Sequence, residues 1–238
     1  MGFRHDQGIV LRTYPFGEAD RIVVLLSPNR GKVRAVAKGV RKTKSRFGGR
    51  LEPFTQVDLV LYEGRSLDTI TQVEVIEAFP RMRGDLDRVL AAGAMVELID
   101  ALAQENESSV RAFLLLQRSL RVLEGAAFHP DLLTSFLLKA ADVAGLAVAL
   151  EGCAGCGTRA GLHRFAFAAG GVLCDRCRTP GAVVLRAGLT GYLAALASAP
   201  LDALPEAQPG LTGDALGVVR RFLEHHLERG LAASAGSR

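Results

Sequence analysis

No stretch of this chain approaches the ~20 consecutive apolar residues that a membrane helix needs. Apolar runs such as Val23 to Leu26 and Val143 to Leu150, with its glycine, stop far short of it. The N-terminal MGFRHDQG lacks the apolar segment of a signal peptide and has Asp6 where a myristoylation motif wants Ser or Thr, so a cytoplasmic protein is expected. Enzyme signatures are missing too. Gly31-Lys32 is followed by Val33 and lacks the upstream glycine of a phosphate-binding loop, and neither G-x-G-x-x-G, H-E-x-x-H nor G-x-S-x-G occurs. Nucleotide hydrolysis, dinucleotide chemistry, zinc proteolysis and the hydrolase elbow all lose their support, and the protein is expected not to be an enzyme.

Acidic residues are absent where basic ones are densest. Arg30 to Arg50 contains nine Lys or Arg and no Asp or Glu. The chain as a whole carries a formal charge of only +4, with 13 basic against 9 acidic residues over 1–80 and near balance beyond. Overlapping this region, KGVRKTKSRFGGRLEPF (Lys38 to Phe54) sets six cations before its single acid, Glu52. A solvated loop would account for a charge run of this kind. With the excess concentrated at one end of the chain, a polyanion partner becomes the leading explanation.

What surrounds that stretch is strand-like. GIVLRTY (8–14), RIVVLLS (21–27), KVRAVA (32–37), TQVDLVLY (55–62) and TITQVEVIEAF (69–79) have β composition, and Val57, Leu59 and Leu61 alternate onto one face of the fourth. PFGEAD and PNRG supply turns between the first three. Five strands with a long third connection predict a small OB-type β-barrel over residues 1–80. From Asp85 the period becomes helical, with Leu86, Leu90, Ala94, Leu98 and Leu102 on one stripe and Met95 and Ile99 beside it. Further helices are predicted at about 108–124, 131–148, 190–199 and 212–229, with Ser108 and Thr212 as N-caps. The expected fold is therefore α+β and multidomain: an OB-fold nucleic-acid-binding domain at 1–80, then a helical domain at 81–238.

All four cysteines lie in one window, Cys153-x2-Cys156, seventeen residues, then Cys174-x2-Cys177. Two-residue spacing lets one tight turn give two thiolates to one ion, so the pattern predicts a Zn²⁺ site within a module at about 150–180. Two disulfides would need an oxidising compartment, and thioredoxin-like redox chemistry would use one CxxC rather than two. Four thiolates leave no coordination position for water, so one structural zinc ion is expected, with His163 a surface or packing residue.

The stretches GIVLRTYPFGEADRIVVLLS, AKGVRKTKSRFGGRLEPF, CAGCG and FAFAAGGVLCDRC, spread over nearly the whole chain, resemble the bacterial RecO family of DNA repair and recombination mediator proteins. That resemblance implies binding to single- and double-stranded DNA, annealing of complementary strands without ATP, partnership with RecR and single-stranded DNA-binding protein, and help in loading RecA at the nucleoid. Not every family member keeps four cysteines, so the zinc expectation rests on this chain's own residues. Candidate DNA contacts are Arg34, Lys38, Arg41, Lys42, Lys44, Arg46 and Arg50, with Phe47 either stacking on bases or packing in the core. Other readings are a zinc-containing OB-fold RNA-binding or transcription factor, and an enzyme with a basic pocket for a phosphorylated metabolite.

Overall fold

The computed structural model describes residues 2–42, 45, 47–125 and 127–227. Five strands, β1 (Phe3–Phe16), β2 (Asp20–Ser27), β3 (Gly31–Ala37), β4 (Gln56–Tyr62) and β5 (Asp68–Glu77), close into a barrel in the order β1-β2-β3-β5-β4. This is the OB arrangement, and Val10, Val23, Leu25, Ala35, Val57, Leu59, Leu61 and Ile70 fill its interior. The first three strands form a meander. The closing contact is parallel and short, Ala35 to Asp68 and Val36 to Thr69. The part of β3 left unpaired is covered by the segment near residue 105, where the Lys32 N–H donates to the Gln104 carbonyl at 2.9 Å. Gly31 makes that cover possible: its φ is +63° and any Cβ there would overlap the carbonyl oxygens of Gln104 and Glu107.

One irregularity in β1 decides what the barrel presents. Up to Val10 the even residues pair with inward positions (Asp6 to Leu59, Gly8 to Val57, Val10 to Leu25), but a bulge lies between Val10 and Arg12. Beyond it Arg12 pairs with Val24 and Tyr14 with Ile22, while the inward Val23 now meets Thr13. One extra residue thus inverts the alternation, and Arg12, Tyr14 and Phe16 face outward.

Helices α1 (Pro80–Arg83), α2 (Leu86–Leu102) and α3 (Val110–Gly125) complete the first of two compact units, residues 1–125; the second is 126–238. The change from strand to helix thus falls near residue 80, while the division between packed units falls at 125. Asp85 caps α2 by accepting the Arg88 N–H at 3.2 Å. The buried face of α2 is rotated from the expected stripe: Ala91, Ala92, Met95, Val96, Leu98 and Ile99 are inside, and Leu86 is exposed. Leu98 is common to both faces, whereas Leu90 and Ala94 of the expected stripe are only half-buried. The expected caps also move. Helix α3 begins at Val110, and the Ser108 hydroxyl instead donates to the Pro28 carbonyl at 3.1 Å.

In the second unit, α4 (Leu132–Val143), α5 (Leu189–Ser198) and α6 (Pro209–Leu227) pack around buried Asp131, whose carboxylate accepts from the Tyr192 hydroxyl at 2.5 Å and from Thr212 at 3.2 Å. Thr212 therefore lies inside α6 rather than capping it. Helix α4 ends earlier than predicted because Gly145, at φ +76°, lets the Leu146 N–H reach back to the Ala141 carbonyl at 2.8 Å. Between α4 and α5 a small sheet forms in the order β7-β6-β8, from β6 (Arg164–Ala166), β7 (Gly171–Leu173) and β8 (Val183–Val184). Among the described residues no helix is long and apolar enough to cross a membrane.

Candidate nucleic-acid interface and metal centre

The basic stretch leaves the barrel at the end of β3 and is stitched to the β1–β2 turn. The Gly39 N–H donates to the Asp20 carboxylate at 2.7 Å, the Arg41 N–H donates to the Ala19 carbonyl at 2.9 Å, and Arg41 Nη1 comes within 3.4 Å of the Gly17 carbonyl. These are mostly backbone contacts, so the side chains of Lys38, Arg41 and Lys42 remain exposed. At the far end of the connection, Arg83 donates to the Pro53 carbonyl at 2.6 Å, the Thr55 hydroxyl at 2.9 Å and the Ala78 carbonyl at 2.7 Å. Burial pulls the Arg83 pKa down. The guanidinium thereby ties the return of the connection to the start of the helices.

Arg34 stands on the outer face of β3, where its Nη2 donates to the Tyr14 hydroxyl oxygen at 3.0 Å. That hydrogen bond is the main reason its pKa is raised. Arg50 is exposed in a short 3₁₀ turn, Gly48–Leu51. Lys44 and Arg46 lie outside the described residues. Phe47 takes its core role: it is 2% exposed, with its ring among Val10, Val23 and the other barrel residues. The stacking role is corrected accordingly, since a ring enclosed on all sides has no face for a base. Of the acids near this surface, Glu52 pairs with Arg21 at 3.2 Å and Asp20 accepts the Gly39 N–H, while Glu18 is exposed in the β1–β2 turn. What remains is an exposed set of cations at one end of the barrel, suited to an extended polyanion.

The four cysteines come together as their spacing predicted. Their sulfurs all lie within 4.8 Å of one another, and Cys156 Sγ is 3.7 Å from Cys174 Sγ. A tetrahedral ion with bonds of about 2.3 Å requires sulfur–sulfur separations of about 3.8 Å, so the cluster fits one metal ion. Backbone donors prepare it. The Cys174 N–H points at Cys153 Sγ at 3.4 Å, and this bond, with those from Gly155 and Cys156, pulls the Cys153 thiol down to about 6. Cys174 is lowered likewise, chiefly by the Cys177 N–H. Cys177 is pushed the other way, up to about 12, foremost by its hydrogen bond with the Cys156 sulfur. Four sulfurs this close cannot all be anionic without a cation between them, so one of them keeps its proton. Gly155 leaves room at the first turn, where a Cβ would sit tightly, 3.0 Å from Cys177 Cβ and 3.1 Å from its sulfur. His163 stays outside the cluster, with Nε2 3.2 Å from Asp175.

Sequence reasoning missed Tyr14, which holds Arg34, and the outward turn of Phe16. Both sit beyond the β1 bulge, and only a break in the alternation of GIVLRTYPF gave a sign of it.

Comparison with known proteins matches nearly all of the chain. The family described as Recombination protein O N terminal matches residues 1–79, and that described as Recombination protein O C terminal matches residues 83–235. Curated relatives named DNA repair protein RecO include those of Nocardioides sp., 48% identical over 236 residues and covering 97% of each chain. The Frankia casuarinae protein is 45% identical over 237 residues, covering 98% of this chain and 97% of its own. That of Thermobifida fusca is 42% identical over 234 residues, covering 97% and 96%.

Proposed function

The chain belongs to the RecO family of DNA repair proteins, and from that premise we propose that it is a recombination mediator that binds single- and double-stranded DNA and anneals complementary strands without ATP. The carrying observation is the set of exposed cations, Lys38, Arg41 and Lys42, projecting beside the β1–β2 turn of an OB-type barrel. Annealing requires no covalent step. Two strands repel through their phosphates, and a surface that neutralises both lowers the barrier to pairing while releasing their condensed counterions. Lys44, Arg46 and Arg50 extend the same run in sequence. RecR and single-stranded DNA-binding protein are the proposed protein partners and RecA loading the outcome, in the cytoplasm at the nucleoid. These assignments are supported by family membership rather than by a particular surface.

Zinc is the proposed metal, held by Cys153, Cys156, Cys174 and Cys177. When bound it cross-links the two CxxC turns and leaves no open coordination position, so its role is structural. The cysteines' backbone donors, the Cys174 N–H among them, hold the sulfurs in place for it.

The deciding experiment mixes two complementary oligonucleotides, one with a fluorophore and one with a quencher, with the purified full chain and no nucleotide. Pairing faster than the spontaneous rate is expected. Unchanged pairing at protein concentrations that coat the strands would remove annealing from the assignment.

A further inference from the structure

With Phe47 enclosed, the basic end of the barrel needs another aromatic if it is to engage bases as well as phosphates. Phe16 is 47% exposed at the last position of β1, one residue before the turn that Arg41 approaches. The bulge after Val10 places its side chain on the outer face, on the same side as Tyr14 and in the row that begins with Arg12. Tyr14 is itself occupied: its hydroxyl accepts from Arg34, and the Arg12 guanidinium lies 5.6 Å from its ring centroid. Phe16 forms no such ring contact among the described residues.

The other exposed aromatics on the barrel are differently placed. Phe3 and Tyr62 pack on each other edge to face at 5.3 Å, and the side chains beside them are partnered with acids, Arg4 with Glu63 at 2.5 Å and His5 with Asp58 at 3.4 Å. Around the hairpin tip that carries Phe16 are the acids Glu18 and Asp20, the latter its cross-strand partner and acceptor of the Gly39 N–H, and the exposed cations Lys38, Arg41 and Lys42. An apolar ring among exposed cations suits a ligand that offers a flat face and a phosphate at regular intervals.

We propose that Phe16 stacks on an unpaired base, and that the hairpin tip together with Lys38, Arg41 and Lys42 forms a site for single-stranded nucleic acid. The inference rests on the reading that the barrel binds DNA. A base within a duplex has both faces covered by its neighbours, so this contact is made with single strands only. Phosphate contacts give both forms a common affinity, and the ring adds a preference for the unpaired one.

The test compares the full chain with Phe16→Leu and Phe16→Tyr on three ligands of equal length: an oligo-dT strand, an abasic strand and a duplex. Phe16→Leu is expected to weaken oligo-dT binding by roughly 5- to 150-fold, the range for losing one stacked base. Its salt slope stays that of the parent because no phosphate contact is lost. Duplex and abasic binding stay at the parent level, and Phe16→Tyr restores oligo-dT binding. Folded Phe16→Leu protein that binds oligo-dT like the parent overturns the stacking role, as does an equal loss on the abasic strand. A parent protein that binds none of the three ligands overturns the DNA reading as well. The two failures are thereby told apart.

Discussion

Replacing Lys38, Arg41 and Lys42 together by Gln removes three exposed cations and leaves the framework beneath them intact. The Gly39 N–H to Asp20 and Arg41 N–H to Ala19 bonds are made by the backbone, at 2.7 and 2.9 Å, and survive the change. Exposed charges contribute little to stability, and like charges this close repel, so the variant is expected to melt with or slightly above the parent. Three lost phosphate contacts lower the slope of log K against log salt by about 2 on single strands and about 2.7 on duplex. Raising salt from about 50 to about 200 mM should then narrow the affinity gap between parent and variant on single strands by roughly 20-fold. Fluorescence anisotropy on a labelled oligonucleotide at four or five salt concentrations measures this directly. A matched variant with Gln at Arg81, Arg118 and Arg221, exposed helix positions outside the basic stretch in sequence, should keep the parent slope. A folded loop variant whose affinity and slope both equal the parent's would refute the argument, and the stretch would be an ordinary solvated loop.

Cys174→Ala should reduce bound metal from one ion per chain to substoichiometric levels by elemental analysis, and should destabilise the second unit, since structural zinc sites contribute on the order of 10 kcal/mol to small zinc modules. Because the Cys177 thiol is pushed up to about 12 before a cation enters, binding at neutral pH must displace its proton. Adding Zn²⁺ to apo protein in weak buffer should therefore release acid, and affinity should fall as pH is lowered, as followed with a chromophoric chelator. Phe47→Ala should cost about 3–5 kcal/mol in chemical denaturation by leaving a cavity in the barrel, whereas Phe16→Leu should cost little. Tyr192→Phe removes the donor to buried Asp131 and the acceptor of the Gln208 N–H, for a loss of about 1–3 kcal/mol in the same assay.

The elements most legible in the sequence were those encoded locally. Alternation of Val57, Leu59 and Leu61 marks β4, and all three are in the barrel core. The two CxxC pairs marked the cluster, since each two-residue spacing brings two sulfurs to one turn. What local pattern could not settle was the choice between competing packings. Helix α2 has two apolar stripes, and contact with its neighbours selected the one through Ala91 and Met95. Phe47 sits in a run of cations that reads as surface, yet the connection folds back across the barrel and encloses it. The β1 bulge adds one residue with no turn signal of its own, so the outward row of Arg12, Tyr14 and Phe16 was hidden. The strands of the metal module, two or three residues each, are too short to carry a period.

The shortness of the β3–β5 seam bears on how the open side of β3 is protected. A strand that pairs over only two residues leaves a row of peptide donors and acceptors open to any passing β-segment, including the same strand of a second molecule. Here the segment near residue 105 occupies part of that row, and it fits because Gly31 has no side chain. A Gly31→Ala change would therefore act less on the barrel's own closure than on its company: the cover is pushed off, the edge is bared, and the chain becomes prone to sheet-to-sheet association at concentrations the parent tolerates.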